Sequence, residues 1–514
     1  MSKTIIIIGA GLAGLSAALQ AAENGCNVKL VSSFPSERAQ SVMAEGGINA
    51  ALNTKDENDS PEEHFTDTIK AACGLADPNA VWGMTQAAPE LVHWLLKLGV
   101  KFNMSGYDDV DLRNFGGQKK KRTAFAQSDT GKQIMTAMID AVRRKEASGM
   151  VERFSHHSFL TLRLCGNICC GCVIRDEYSQ ETVELPGDAV IVATGGMHGL
   201  FGNTTGSLSN TGEVTAELFR LGVPLANGEM IQYHPTTVKC GGKRMLISEA
   251  ARGEGGRLFA MKDGKQWYFM KEKYPELGNL MPRDITAREI WKVSHESEVF
   301  LDMTEISEEI ISNKLSGLAD DCMTYLHKDI RKEPVSVLPG IHYFMGGILV
   351  DEQHRTPIQN LYAAGECCAQ YHGANRLGGN SLLGALYGGR VAAKSACEQA
   401  DVVDLSCATQ IDFPPASQIS EIKQLNKVMQ ETMGVVRNEN TLLNGIQTVQ
   451  ALTGNLPLLG MAVLKSALAR KESRGAHWRE DYPKSNDDDY LKTTVARFDG
   501  KQIQISFVPV PERR

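Results

Sequence analysis

The chain has 514 residues, too many for one ordinary core, and so predicts two or three domains. With 42% hydrophobic and 22% charged residues it has average globular composition, and a formal net charge of −7 offers no basic field to nucleic acid or to an anionic membrane. No stretch approaches the roughly 20 apolar residues that span a bilayer and no twin-Arg leader precedes the first strand, so the expectation is a cytoplasmic protein that meets a membrane only through partner subunits.

Residues 4–8 are a β-branched apolar run cut short by Gly9, which reads as a strand and not as a signal segment. GAGLAG at 9–14, the helical LSAALQAAENG ending at Gly25, and the strand NVKLVSS follow. This strand, glycine turn, helix, strand order is a dinucleotide-binding βαβ unit. Gly9 permits the tight turn, Gly11 lets backbone N–H groups reach a pyrophosphate, and Gly14 lets helix and strand pack closely. Ser32 stands where an acid would hold the ribose; a hydroxyl can make the same bond.

The basic run Lys119, Lys120, Lys121 and Arg122 reads as a solvated face. Twelve cysteines are expected to be mostly reduced thiols. Cys165, Cys169, Cys170 and Cys172 have neither zinc nor ferredoxin spacing, and their flanks predict a β-hairpin, so no metal site is expected. DAVIVATGG at 188–196 and NLYAAGEC at 360–367 are two further strands running into glycine, the second carrying Glu366 to meet a ribose or ribitol hydroxyl. Three such elements spread along the chain predict one nucleotide domain interrupted by an insertion, which favours FAD over NAD. Residues 230 to 342 read as a mixed α/β insertion, the chain beyond 410 as helical, and TTVARF and IQISFV near the end as strands.

Eight strings then carry a resemblance: AEGGINAAL at 44–52, RTAFAQSDTG at 122–131, QYHPT at 232–236, SEAARGEGG at 248–256, PRD at 282–284, HYFMGG at 342–347, HGANRLGGNSLL at 372–383 and ARKESRGAH at 469–477. In this order they resemble the fumarate reductase, succinate dehydrogenase and L-aspartate oxidase flavoproteins. The resemblance implies an α/β fold: a discontinuous, Rossmann-like FAD-binding domain (1–229 and 343–405), an inserted α+β capping domain (230–342), and a C-terminal helical domain with its tail (406–514). Gly9, Gly11, Gly14, Ser32, Ser41, Gly46, Gly47, Gly195, Glu213, Glu366, Ser381 and Leu382 are the expected cofactor contacts. A fumarate or succinate dianion would be clamped by His342 and Arg376 at one end and by His234 and Ser248 at the other. The implied reaction is hydride transfer between flavin N5 and this diacid, with Arg283 as proton donor, fed through Glu249 and Arg252. The i,i+3 spacing of the last two puts them on one face if the stretch is helical.

Three positions depart from, or discriminate within, that family. Gln40 replaces the histidine that carries FAD covalently in membrane-linked members, so noncovalent FAD is expected, which favours fumarate reduction. The acid of the family's TGDG string appears as Glu213, with Val214 in place of glycine. At position 115 the aspartate oxidases have a glutamate for the substrate ammonium, whereas this chain has Phe115, as in the diacid enzymes. L-Aspartate oxidase is therefore the alternative, and a non-catalytic flavin-binding assembly subunit is a second. Electrons would pass through a separate iron–sulfur subunit.

Overall fold

The computed structural model describes residues 2–106, 109–207, 209–400, 413 and 418–514. The expected boundary at 405/406 lies outside them. At the centre is a five-stranded parallel sheet in the order Leu361–Ala363, Ala189–Val192, Thr4–Ile8, Asn27–Ser32, Val151–Ser155. Parallel strands are covered on both faces, which is why IIII and AVIV are unbroken apolar runs; Ile5 to Ile8 and Ala189 to Val192 are all buried. The three strand-to-glycine segments of the sequence are thus adjacent strands of one sheet.

The helices Leu12–Glu23 and Asn380–Gln399 cover that sheet and pack on each other at glycine contacts. A Cβ on Gly389 would collide with Ala13 O, and one on Gly14 with Gly9 O. The expected hairpin is present as His157–Cys165 and Ile168–Asp176, with Cys169 and Cys172 packed in the core beside Ile6 and Ile8. Among the described residues ten cysteines are free thiols and Cys165 is disulfide-bonded.

Between residues 230 and 344 the chain builds two small antiparallel sheets. Ile231–Cys240 pairs with Lys243–Leu246 and with Leu338–Phe344. Arg257–Lys262 pairs with Lys265–Trp267 and with Val299–Asp302. Ile247, Leu258, Phe269, Ile290 and Leu301 give this region its own core. Further on come the helices Ile419–Thr432, Glu439–Val449 and Asn455–Ala469, and then the strands Lys492–Phe498 and Ile503–Pro509, which extend a second sheet through Leu225–Ala226.

The basic run is not uniformly solvated. Arg122 is fully buried, its guanidinium 2.8 Å from Asp59 and 3.0 Å from Asp67. Two carboxylates supply what water would have supplied, and only the three lysines stay near solvent. Near the C-terminus a larger buried network forms: Arg470 reaches Glu229 Oε1 at 2.7 Å, Glu472 Oε1 at 2.8 Å and Thr494 Oγ1 at 2.7 Å, while Arg437 donates to Glu229 O at 2.8 Å. Among the described residues no helix is long and apolar enough to cross a membrane, and no three His, Cys, Asp or Glu side chains converge to hold a metal ion.

Candidate active site

A cleft of about 480 Å³ runs from the C-terminal ends of the parallel strands to the inserted region, the usual ligand position on a doubly wound sheet. Its first half is built for a nucleotide. Gly9 turns the chain out of the first strand at φ +111, a conformation open to glycine, and the helix Leu12–Glu23 starts immediately beyond. A Cβ on Gly11 would point into the cleft wall in ordinary contact with Ser41 Oγ at 3.6 Å and Ala39 Cβ at 3.8 Å, and its absence leaves the backbone N–H groups nearer to a pyrophosphate. Ser41 Oγ itself accepts from Leu12 N at 3.2 Å. Gly46, Gly47, Gly195, Glu213, Ser381 and Leu382 also line the wall. Glu366 does too, and accepts from Phe344 N at 3.1 Å. Ser32 Oγ is buried on the same wall with no partner among the described residues, as a ribose-binding hydroxyl would be. These residues fit FAD.

The second half converges on polar groups. Arg283 opens the helix Arg283–Val293 and holds Glu249 Oε2 through Nε at 2.8 Å and Nη2 at 2.6 Å. Glu249 sits in the first turn of the short helix Glu249–Gly253, capped by Ser248, and its other oxygen accepts from Gly116 N at 2.9 Å. One turn on, Arg252 Nη2 lies 3.6 Å from Glu249 Oε1, as the i,i+3 spacing requires. Burial alone would raise the Glu249 carboxyl, but Arg283 and Arg252 overcome it and hold the group ionised. Behind the arginines, Gln232 Oε1 accepts from Arg283 Nη1 at 3.0 Å and from Arg376 Nη2 at 3.1 Å, fixing the two guanidiniums relative to each other. Arg376 also lies 4.3 Å over the Tyr343 ring.

His234 and His342 stand with ring centroids 5.2 Å apart. His342 is an extra residue in its strand: Tyr233 pairs with Ile341 and Gln232 with Tyr343, so the bulge turns its side chain into the cleft, where Thr205 Oγ1 meets Nδ1 at 2.8 Å. Burial and the Arg283 charge push both imidazoles well below their ordinary range, so both are neutral. His234 Nε2 and Arg376 Nε have no partner among the described residues. Phe115 closes the wall, 2% exposed.

Of the residues expected from sequence, the cleft brings all together but two. Gly14 packs against Gly9 O behind the turn, and Arg252 stands behind Glu249. Gln232, Thr205 and Tyr343 were not anticipated. Gln232 lies two residues before His234 on one strand, so the period-2 pattern was the signal that pointed to it. Glu45 was also missed: burial and Asp321 push its carboxyl to about 8, so it is protonated at neutral pH.

Residues 4–382 match the FAD binding domain family, and residues 452–513 match the fumarate reductase flavoprotein C-terminal family. The succinate dehydrogenase flavoprotein subunit of Bacillus subtilis is 38% identical over 100% of this chain and 98% of its own length. The chain belongs to the succinate dehydrogenase and fumarate reductase flavoprotein family. It is an FAD-dependent oxidoreductase of that family. The 8-methylmenaquinol:fumarate reductase flavoprotein subunit of Wolinella succinogenes is 32% identical over 100% of this chain and 92% of its own. A variant of the E. coli quinol fumarate reductase flavoprotein superposes with a TM-score of 0.90 at 27% identity, covering 99% of this chain and 97% of that one.

Proposed function

We propose that this flavoprotein reduces fumarate to succinate, with Arg283 as proton donor and with FAD held noncovalently. The observation that carries the reading is the convergence of Arg283, Arg376, His234 and Ser248 on one cleft in which His234 Nε2 and Arg376 Nε lack partners among the described residues. Groups of that kind at two ends suit a rigid dianion. FAD, when bound and reduced by two electrons from the donor, would supply the hydride for one carbon of the double bond and return to its oxidised form. Arg376 with His342 takes one carboxylate and His234 with Ser248 the other, which orients the diacid and draws charge toward the clamped end. Arg283 gives its proton to the second carbon and is reprotonated through Glu249, a carboxylate that first takes the proton from Arg252, which draws its own from solvent. Arginine, whose free pKa exceeds 12, serves here because a developing carbanion is a far stronger base.

The domain limits 1–229 with 343–405, 230–342 and 406–514 belong to this reading, as do cytoplasmic placement and electron supply by an iron–sulfur subunit. Several relatives are named as flavoprotein subunits, which supports a partner.

Chemically reduced dye should be oxidised by fumarate in the presence of the protein, with malonate and oxaloacetate competing. L-Aspartate with oxygen should yield little peroxide, because Phe115 cannot neutralise an ammonium and burying that charge unpaired costs several kcal/mol. Rapid peroxide from aspartate without comparable fumarate reduction would make the protein an L-aspartate oxidase. Phe115→Glu should move selectivity toward aspartate. Inactivity toward both substrates would favour the assembly-subunit reading.

Gln40 lines the cleft and has no nucleophilic ring nitrogen. Acid precipitation should therefore release all FAD to the supernatant. Yellow fluorescence retained in the denatured pellet would show a covalent bond.

A further inference from the structure

We propose that Arg244 is an outer carboxylate station at the mouth of the cleft, which captures the incoming dicarboxylate and hands it to the inner clamp; this rests on the dicarboxylate reading above. Arg244 follows the turn between Ile231–Cys240 and Lys243–Leu246, paired with Lys239 across the hairpin. Its side chain crosses the sheet toward the clamp: Nε donates to Thr237 Oγ1 at 2.6 Å and Nη2 to Leu338 O at 3.3 Å. It lies over Gly340, whose missing Cβ would fall 2.5 Å from Arg244 Nε. Gly340 is paired with His234 and stands two residues before His342, so the guanidinium sits beside the backbone of both clamp histidines. Arg244, Lys243, His234 and His342 all line the one cleft.

The charge is not used up by the protein. No carboxylate among the described residues is within ion-pair reach of Arg244, and of the ionisable groups only the Tyr233 hydroxyl bears on it. Elsewhere on the wall, Glu249 is engaged by Arg283 and Glu366 by Phe344 N. A half-buried guanidinium with two donors committed to neutral oxygens keeps its remaining N–H groups for an anion, and its planar fork suits a carboxylate. Lys243, exposed on the same rim, extends the positive field outward. Diffusing dianions are thus drawn to a lip of the cleft beside His342.

The test compares FAD-loaded wild type, Arg244→Gln, Arg244→Lys and Gly340→Ala, the last retaining the charge but displacing the side chain. Arg244→Gln should raise the fumarate KM about tenfold and leave kcat within about twofold, because steering and capture act before the chemical step. It should also flatten the fall of kcat/KM with ionic strength, an effect that a merely structural role would not produce. Arg244→Lys should restore most of the salt dependence, and Gly340→Ala should raise KM as Arg244→Gln does while keeping the salt dependence of wild type. Malonate binding, read from the flavin absorbance, should weaken in step with KM. If wild type reduces fumarate and binds malonate while Arg244→Gln keeps the same KM and salt slope, the station is refuted and the substrate reading survives. A wild type that neither reduces fumarate nor binds malonate refutes both.

Discussion

Arg283→Ala is expected to abolish fumarate reduction, by about 10³-fold or more, while FAD stays bound at full occupancy. The loss has two sources. The proton donor is removed, and Glu249, buried and ionised by virtue of its bonds to Arg283, is left with only Arg252 at 3.6 Å as a cation. Arg283→Lys should do little better, since a lysine ammonium is a point charge and cannot hold Glu249 Oε2 and Gln232 Oε1 in the fork that arginine uses. The cofactor half of the cleft is built by other elements, so flavin absorbance per protein should be unchanged. Turnover within tenfold of wild type in Arg283→Ala would mean that another acid serves, and the protonated Glu45 would be the first to test.

The second large effect concerns stability. Arg470→Ala is expected to cost about 3 kcal/mol or more, because it leaves the buried Glu229 carboxylate without its cation, whereas Glu472 keeps Arg474. Arg470 also satisfies Tyr490 O and Lys492 O, so its removal orphans backbone carbonyls where the last sheet is anchored. Pairing the change with Glu229→Gln should recover part of the loss, since the stranded charge is then gone. Thermal melts followed by flavin release would read both. A Tm unchanged in Arg470→Ala would show that water enters the site and that the network contributes little.

The fold was largely legible because its strongest signals are local. TIIII, GAGLAG and NVKLVSS state a strand, a turn and a strand within thirty residues, and AVIV and LYA repeat the apolar run that a parallel sheet demands. Charge in context was not legible. Arg122 looked like the end of a solvated lysine run, because nothing in the run announces Asp59 and Asp67, which reach it from a distant part of the chain. The same limit applies to Gln232. Its neighbour His234 stands out by its own chemistry, whereas Gln232 matters because Arg283 and Arg376, 51 and 144 residues away, arrive at the same oxygen. The bulge at His342 was equally hidden, since a register shift belongs to a pair of strands and not to either sequence.

The order of strands in the central sheet has a consequence for how the protein is made. Thr4–Ile8 lies between Asn27–Ser32 and Ala189–Val192, and one edge of the sheet is Leu361–Ala363. At roughly 5 to 20 residues per second a ribosome supplies that edge some tens of seconds after the first strand. For the later half of that interval the Ala189–Val192 strand has a bare flank, and throughout it the glycine turn has no wall formed by Glu366, Ser381 and Leu382. A nascent chain therefore cannot enclose its nucleotide until most of it has emerged, and the apolar edge is exposed to wrong pairing for the later half of the wait.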